Sequence, residues 1–452
     1  MGPGLVRARD RVRSLRAEAL RQGAGTAAPK ARLDRDLRRL VVIGSSSRGG
    51  SSIFAEVLRR TLDVVHLRAE INPFLRLHGC APGPAALLAL DPRGDGLDAT
   101  DPAPPGLWED LAWDCGRPAE GLPDAAAQAD FGLDLACRLS LQWPQERFEL
   151  DEVQGAVSHC LARLQAEAGW APGEYRDGQH FHALLLARLR RDHPAVDPFL
   201  YDLDRERIAE CCPEARPPRQ PPAQVIEEPP FVTIGPWQRA TAEELRRLPL
   251  LVKTPGNAYR LPWLAAALPQ ARLDLLHLTR NVAASVNGLF DGWRHVGFHA
   301  HHMPGRLHIG SYSEVVPGGR DWWKFDLPPG WPDWTARRLE EVCAFQWRSA
   351  HTALLAAAED LPEDRVLRLR FEDFLGDPPR HLARVGGWLG AALDHQRAGA
   401  LSRALPAVMA THQPRHRRWF GRADLLEGVL TDPDNLSLMV RLGYELDPDG
   451  WL

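Results

Sequence analysis

The stretch RRLVVIGSSSRGGSSIFAEVLRR, residues 38–60, constrains the fold more than any other part of the chain. Leu40 to Ile43 are four consecutive apolar residues and read as a buried strand, Gly44 to Ser52 as a polar turn, and Ile53 to Arg60 as a helix. Small residues in the turn let the backbone approach an anion, and the helix behind it points its first N–H groups and positive dipole end the same way. This is the strand, loop and helix of an α/β phosphate site. The nucleoside-triphosphate form of such a loop reads GxxxxGK[ST]. Gly44 and Gly49 have its spacing, but Gly50 stands where the lysine is needed. Arg48, ahead of Gly49 and Gly50, is the loop's cation, and Ser51 and Ser52 follow as hydroxyl donors.

Later segments repeat the alternation of strand and helix. PLLVKTP and LDLLHLTR read as short strands, the second running into a helix at NVAASVNGLFDGW, and VLRLRFED reads as another strand before the helix RHLARVGGWLG. Strands alternating with helices predict an α/β fold with a P-loop-type, doubly wound parallel sheet flanked by helices. Between about 80 and 230, proline-rich turns separate helical patterns such as VSHCLARLQAEAG, which predicts a mostly helical insertion. Residues 1–38 read as a basic helical arm, either solvated or docked, ahead of a domain spanning 39–452.

A formal net charge of −4 gives no bulk reason to bind nucleic acid or an anionic membrane, so any anion site must be local. No apolar run approaches the roughly 20 residues that cross a bilayer. Seven cysteines without a CxxC pair, and no signal-peptide core near the start, fit a reducing cytoplasm. Basic residues are nearly all arginine; the only lysines are Lys30, Lys253 and Lys324. A lysine at the end of the LVK strand is therefore informative, because it offers a compact point charge where arginine offers a fixed fork.

Arg48-Gly49-Gly50-Ser51-Ser52 after a buried strand resembles the loop by which sulfotransferases dependent on 3′-phosphoadenosine-5′-phosphosulfate (PAPS) hold the 5′-phosphosulfate. LVKTPGNAYRLPWLAAALPQARLDLLHLTRN resembles that family's lysine strand, helix, turn and arginine-ended strand, and VLRLRFEDFLGDPPRHLARVGGWLG its later structural segment. The matches cover roughly 40–80 and 250–392, in the family's order. The resemblance implies sulfuryl transfer from PAPS to a hydroxyl or amine, 3′,5′-ADP as product and no metal. The acceptor it implies is a small molecule or carbohydrate, with no nucleic-acid partner. It places Arg280 on the 3′-phosphate and Lys253 with Arg48 at the leaving oxygen.

The family's 3′-phosphate serine is replaced here by Gly288, so Ser285, one helical turn earlier, and Asn287 are the candidates for its work. QPRHRRWFGR resembles a C-terminal segment that reaches the same phosphate, through Arg415, Arg417 or Arg418. Small-molecule members carry a base histidine two residues after the lysine, and here that residue is Pro255. The branch that the chain then resembles, bacterial and carbohydrate-directed, uses a glutamate after the second strand, which is Glu70 in VVHLRAEINPF. His66 and His78 are reserve bases. The histidines of GFHAHHM read as a polar loop near the acceptor, and the tryptophans of RDWWKFDLPPGWPDW as pocket wall or core. Two other readings stay open: a P-loop small-molecule kinase, which lacks its lysine, and a catalytically silent nucleotide-binding module.

Overall fold

The computed structural model describes residues 3–23, 28, 29, 31–406, 408–411, 417–447 and 451. In chain order its strands are β1 (Arg39–Gly44), β2 (Val65–Leu67), β3 (Cys115–Pro118), β4 (Trp237–Arg239), β5 (Leu250–Lys253), β6 (Arg272–Thr279), β7 (His301–His302), β8 (Trp322–Trp323) and β9 (Val366–Arg370). The chain divides into two units, one drawn from residues 1–32, 67–83 and 106–242, the other from 33–66, 84–105 and 243–452.

The first unit is mainly helical. Helices Ala125–Gln142, Leu150–Ala168 and Gly178–Leu189 pack around Phe131, Trp143, Phe148, Phe181 and Phe231. Asp124 and Asp177 cap two of them, each carboxylate accepting from the N–H three residues on, at 2.8 and 3.0 Å. The arginine-rich helix Pro3–Gln22 also belongs here. Its Ala8, Val12, Leu15 and Ala19 fall on one stripe and are all buried, while Arg7, Arg13 and Arg21 are exposed. That stripe docks the helix. β3 and β4 form an antiparallel pair in this unit, with Gly116 opposite Arg239. Strands of three or four residues are too short to leave a period-2 signature in the sequence.

In the second unit the strand order is β2-β5-β1-β6-β9, all parallel, with helices packed against the sheet. Parallel strands covered on both faces need apolar residues throughout, which is why Leu40 to Ile43 and Leu250 to Val252 are unbroken apolar runs and all are buried. The pairing of Ile43 with Lys253 and of Gly44 with His277 brings the carboxyl ends of β5, β1 and β6 level. In an open parallel sheet that edge is where ligands bind, at the strand from which neighbours run both ways. Here the strand is β1.

Beneath the edge, His277 on β6 and His351 on the helix Leu339–Glu359 share a ring-to-ring hydrogen bond of 3.0 Å, and both are fully buried. Burial holds both imidazoles well below their ordinary range, His351 at about 3. Lowered folded-state values mean that the neutral rings stabilise the fold above the unfolded pKa near 6.5, and that this contribution is lost as pH falls from there toward 3. For His351 alone the loss at pH 4.5 is about 2–3 kcal/mol. Buried Asp326 and Glu227, raised to about 6 and 7, work in the opposite direction. Denaturant unfolding at pH 7.5 and 4.5 is therefore expected to show a smaller acid loss in His351→Leu than in the wild type. Equal losses would contradict the neutral buried pair.

Candidate functional site

The loop after β1 closes on itself by a Gly49 N–H to Ser46 carbonyl bond of 3.1 Å. A Cβ on Gly49 would stand 2.3 Å from Ser45 Oγ and 2.9 Å from the Ser46 carbonyl oxygen, so a larger residue would require the turn to shift. Gly50 has φ 90°, in the left-handed region, and a Cβ there would meet the Phe371 ring at 2.6 Å. The place where a nucleoside-triphosphatase needs its lysine side chain is thus filled by an aromatic ring. Gly50 also caps the helix Ser51–Thr61 without a side-chain acceptor, so the first N–H groups of an 11-residue helix face the loop.

Two cations of different kind reach this loop from the neighbouring strands. Lys253, the last residue of β5, donates from Nζ to Ser52 Oγ at 3.1 Å, which sets an ammonium at the first turn of the loop helix. Arg280, just past β6, donates from Nη1 to the Arg48 carbonyl at 3.0 Å, and its guanidinium lies 5.5 Å from the centre of the Phe371 ring. Burial draws the Arg280 guanidinium down from its ordinary value, with Glu372 and Tyr444 pulling the other way. Its backbone is held by Trp347 Nε1, which donates to the Arg280 carbonyl at 3.0 Å. Asn281, capping the next helix, donates from Nδ2 to Glu372 Oε1 at 2.7 Å.

Arg48 itself has φ 61°, donates from Nη1 to the Met409 carbonyl at 2.7 Å, and lies 5.4 Å from the Phe298 ring centre. A Cβ on Gly288 would come within 3.3 Å of Arg48 Cβ. Gly288 is therefore where the helix Val282–Arg294 comes close to Arg48. One turn back, Ser285 is fully buried and its hydroxyl has no hydrogen-bond partner among the described residues. Ser45 and Ser46 in the loop are in the same condition. Unmet buried hydroxyls next to an arginine and an uncapped helix start are what a bound oxyanion would complete.

The remaining candidates fall less simply. Asn287 accepts from Arg422 at 2.7 Å through Oδ1, Arg422 pairs with Asp291 at 2.6 Å, and Arg418 pairs with the same carboxylate. Arg417 lies 5.4 Å from the Phe420 ring centre, and Arg415 lies outside the described residues. These contacts staple residues 417–422 to the helix that starts after Arg280. Ser51 is buried at the start of the loop helix. Glu70 and His78 lie in the first unit, Glu70 half-buried three residues past β2. His78 is bonded at 2.8 Å to the buried Asp110. His66, on β2, is buried, and its imidazole is held well below its usual range by burial and by Arg59.

The histidine and tryptophan segments are mostly structural. Trp323 and Trp331 are fully buried in one core with Trp293, and Trp334 stacks on Phe345 at 4.4 Å. His302 and His299 pack on Trp322, and His301 faces Asp95 at 3.8 Å, a carboxylate some 200 residues away that spacing alone does not connect. Lys324 and Asp326 in the same loop belong to no motif in the sequence. Lys324 is fully buried, donates to the His295 carbonyl, and is drawn down to about 7 by burial. The rarity that marks Lys253 in this arginine-rich chain marks Lys324 equally.

A parallel sheet whose central strand feeds a glycine and serine loop, with a lysine and an arginine reaching that loop from the adjacent strand ends, defines an α/β protein with a cationic loop at the carboxyl edge of its sheet. No protein-family model matches the chain, and no curated protein does. Among solved structures it is similar to the sulfotransferase domain from the curacin biosynthetic pathway, at 11% identity over 90% of this chain and 99% of that one, TM-score 0.33. It is also similar to the sulfotransferase domain from the Synechococcus PCC 7002 olefin synthase, at 11% identity over 90% and 96%, TM-score 0.32. A third likeness is to sulfotransferase STF9 from Mycobacterium avium, at 12% identity over 92% and 80%, TM-score 0.31. Among the described residues no helix is long and apolar enough to cross a membrane.

Proposed function

We propose that the second unit binds PAPS and that the protein transfers its sulfuryl group to a hydroxyl or amine of a small-molecule or carbohydrate acceptor, releasing 3′,5′-ADP. The observation that carries this reading is the pair of cations on one loop: the Lys253 ammonium on Ser52 and the Arg280 guanidinium on the Arg48 carbonyl. Sulfuryl transfer is an in-line displacement that asks for charge at the leaving oxygen and a firm grip on the nucleotide end. Lys253 and Arg48 supply the first, and Gly49, Gly50, Ser51 and Ser52 hold the 5′ side with backbone N–H groups and hydroxyls. Arg280 and Ser285 hold the 3′-phosphate, with Asn287, Arg417 and Arg418 as its outer contacts. Glu70 is the proposed base, carried by the family resemblance. The Phe371 ring packed against Gly50 speaks against the kinase reading.

The test is a PAPS-dependent screen of phenol, alcohol, amine and sugar acceptors, read by the mass gain of one sulfuryl group. Lys253→Met is expected to lower kcat by about a hundredfold or more while leaving 3′,5′-ADP affinity within severalfold, because its charge matters most where the leaving oxygen develops. Glu70→Gln in the same assay tests the base. Transfer unaffected by Lys253→Met would contradict its role, and tight 3′,5′-ADP binding with no transfer to any acceptor would instead favour a silent nucleotide-binding module.

A further inference from the structure

The anion loop has a buried carboxylate attached to it that the reaction as proposed does not use. Ser47, the residue before Arg48, donates its hydroxyl hydrogen to Asp326 Oδ1, and the Tyr259 hydroxyl donates to Oδ2 at 2.9 Å. Tyr259 ends the turn Pro255–Tyr259 that follows Lys253, so this one carboxylate ties the loop after β1 to the segment after β5. It has little freedom to move, since the Asp326 carbonyl accepts from Trp323 Nε1 at 3.0 Å and from Gln346 Nε2 at 2.8 Å.

An ionised carboxylate only accepts hydrogen bonds. While Asp326 is charged, the Ser47 hydrogen is committed to it, and Ser47 offers the rest of the loop lone pairs. Lone pairs repel an oxyanion. Once Asp326 carries a proton, its own O–H donates to Ser47 Oγ, and the Ser47 hydrogen is released to turn toward an anion. The negative charge beside the loop disappears in the same event.

We infer that Asp326 is a positioning residue for the anion loop: it sets the direction of the Ser47 hydroxyl, and an anion entering the loop is bound together with a proton taken up at this carboxylate. The inference rests on the reading of this loop as the donor site. The groups that face Asp326 are consistent with such uptake. Besides the two hydroxyls, Asp95 lies near it, pairing in turn with Arg260 at 3.1 Å and facing His301 at 3.8 Å. Lys324, two residues before it, turns its ammonium to the His295 carbonyl, and Arg48 sends its guanidinium to the Met409 carbonyl. Burial, with the charge of Asp95, raises the Asp326 carboxyl to about 6 against the two hydroxyl bonds. A further negative charge in the loop raises it again.

The experiment is calorimetric binding of 3′,5′-ADP at pH 7 in buffers of different ionisation enthalpy, on the full chain and on Asp326→Asn and Ser47→Ala. The wild type is expected to take up a large fraction of one proton more than either variant, and its affinity to tighten toward low pH by up to tenfold per pH unit beyond the nucleotide's own titration, which all three proteins share. Equal proton counts in the wild type and both variants would overturn the inference and leave the donor site standing. A nucleotide that fails to bind the wild type would overturn the donor reading itself. Ser47→Ala keeps the buried carboxylate and removes only one of its two hydroxyl donors, so the comparison survives if Asp326→Asn does not fold.

Discussion

Arg280→Ala is expected to weaken 3′,5′-ADP binding by about a hundredfold, the largest effect of any single binding residue. A charge-assisted hydrogen bond contributes roughly 1.5–3 kcal/mol, and every 1.4 kcal/mol is about tenfold in affinity. Here the guanidinium has two tasks. It is the proposed partner of the 3′-phosphate, and it holds the Arg48 carbonyl at 3.0 Å, so its removal is expected to loosen the loop as well as the nucleotide end. Arg280→Lys keeps the charge but loses the planar fork and the contact with the Phe371 ring, and it is expected to fall between the two, about tenfold weaker than wild type. Titration of the three proteins with 3′,5′-ADP decides the matter. An Arg280→Ala affinity within twofold of wild type would remove Arg280 from the site.

Gly50→Ala is expected to destabilise the fold by about 3 kcal/mol or more and to abolish nucleotide binding in whatever protein remains folded. Two costs add. A left-handed φ of 90° costs a residue with a Cβ roughly 1–2 kcal/mol. The new methyl would also sit 2.6 Å from the Phe371 ring, and overpacking a buried contact costs about 1–3 kcal/mol. Phe371 cannot simply withdraw, because it is buried and packed with Phe374 in the core beneath the loop helix. Urea unfolding of Gly50→Ala and of the double variant with Phe371→Ala, each against its Gly50 parent, separates the terms. The penalty of the added methyl is expected to shrink to the backbone part when the ring is gone. A Gly50→Ala protein as stable as wild type would mean that the loop does not have this conformation.

Much of this was legible in the chain itself, for physical reasons that differ from residue to residue. Leu40 to Ile43 read as a buried strand because the apolar run is short, ends on a glycine, and has β-branched residues at three of its four positions. Lys253 stands out by its rarity, and the absence of a lysine at Gly50 argues against a triphosphatase from the sequence alone. The departure at Gly288 was visible, but its reason was not. Only the packed helix shows that a Cβ there would come within 3.3 Å of Arg48 Cβ, a tight contact. Asn287 and Arg418 read as phosphate contacts, and the fold gives them arginine and aspartate partners drawn from 135 and 127 residues away. Such pairings leave no periodicity.

Local chemistry belongs to the sequence: a glycine and serine loop, a lysine ending one strand and an arginine following another are properties of short segments, fixed by propensity and pattern. Which of those segments meet is decided by the sheet. The parallel order β5-β1-β6 brings Lys253 and Arg280 to the same loop, and the long-range fold lays Asp326 on Ser47 across 279 residues. A carboxylate in a tryptophan-rich loop carries no mark of that in its own neighbourhood. Its partners, its burial and its raised affinity for a proton arise from residues that the chain keeps far apart and only tertiary packing brings within hydrogen-bonding reach.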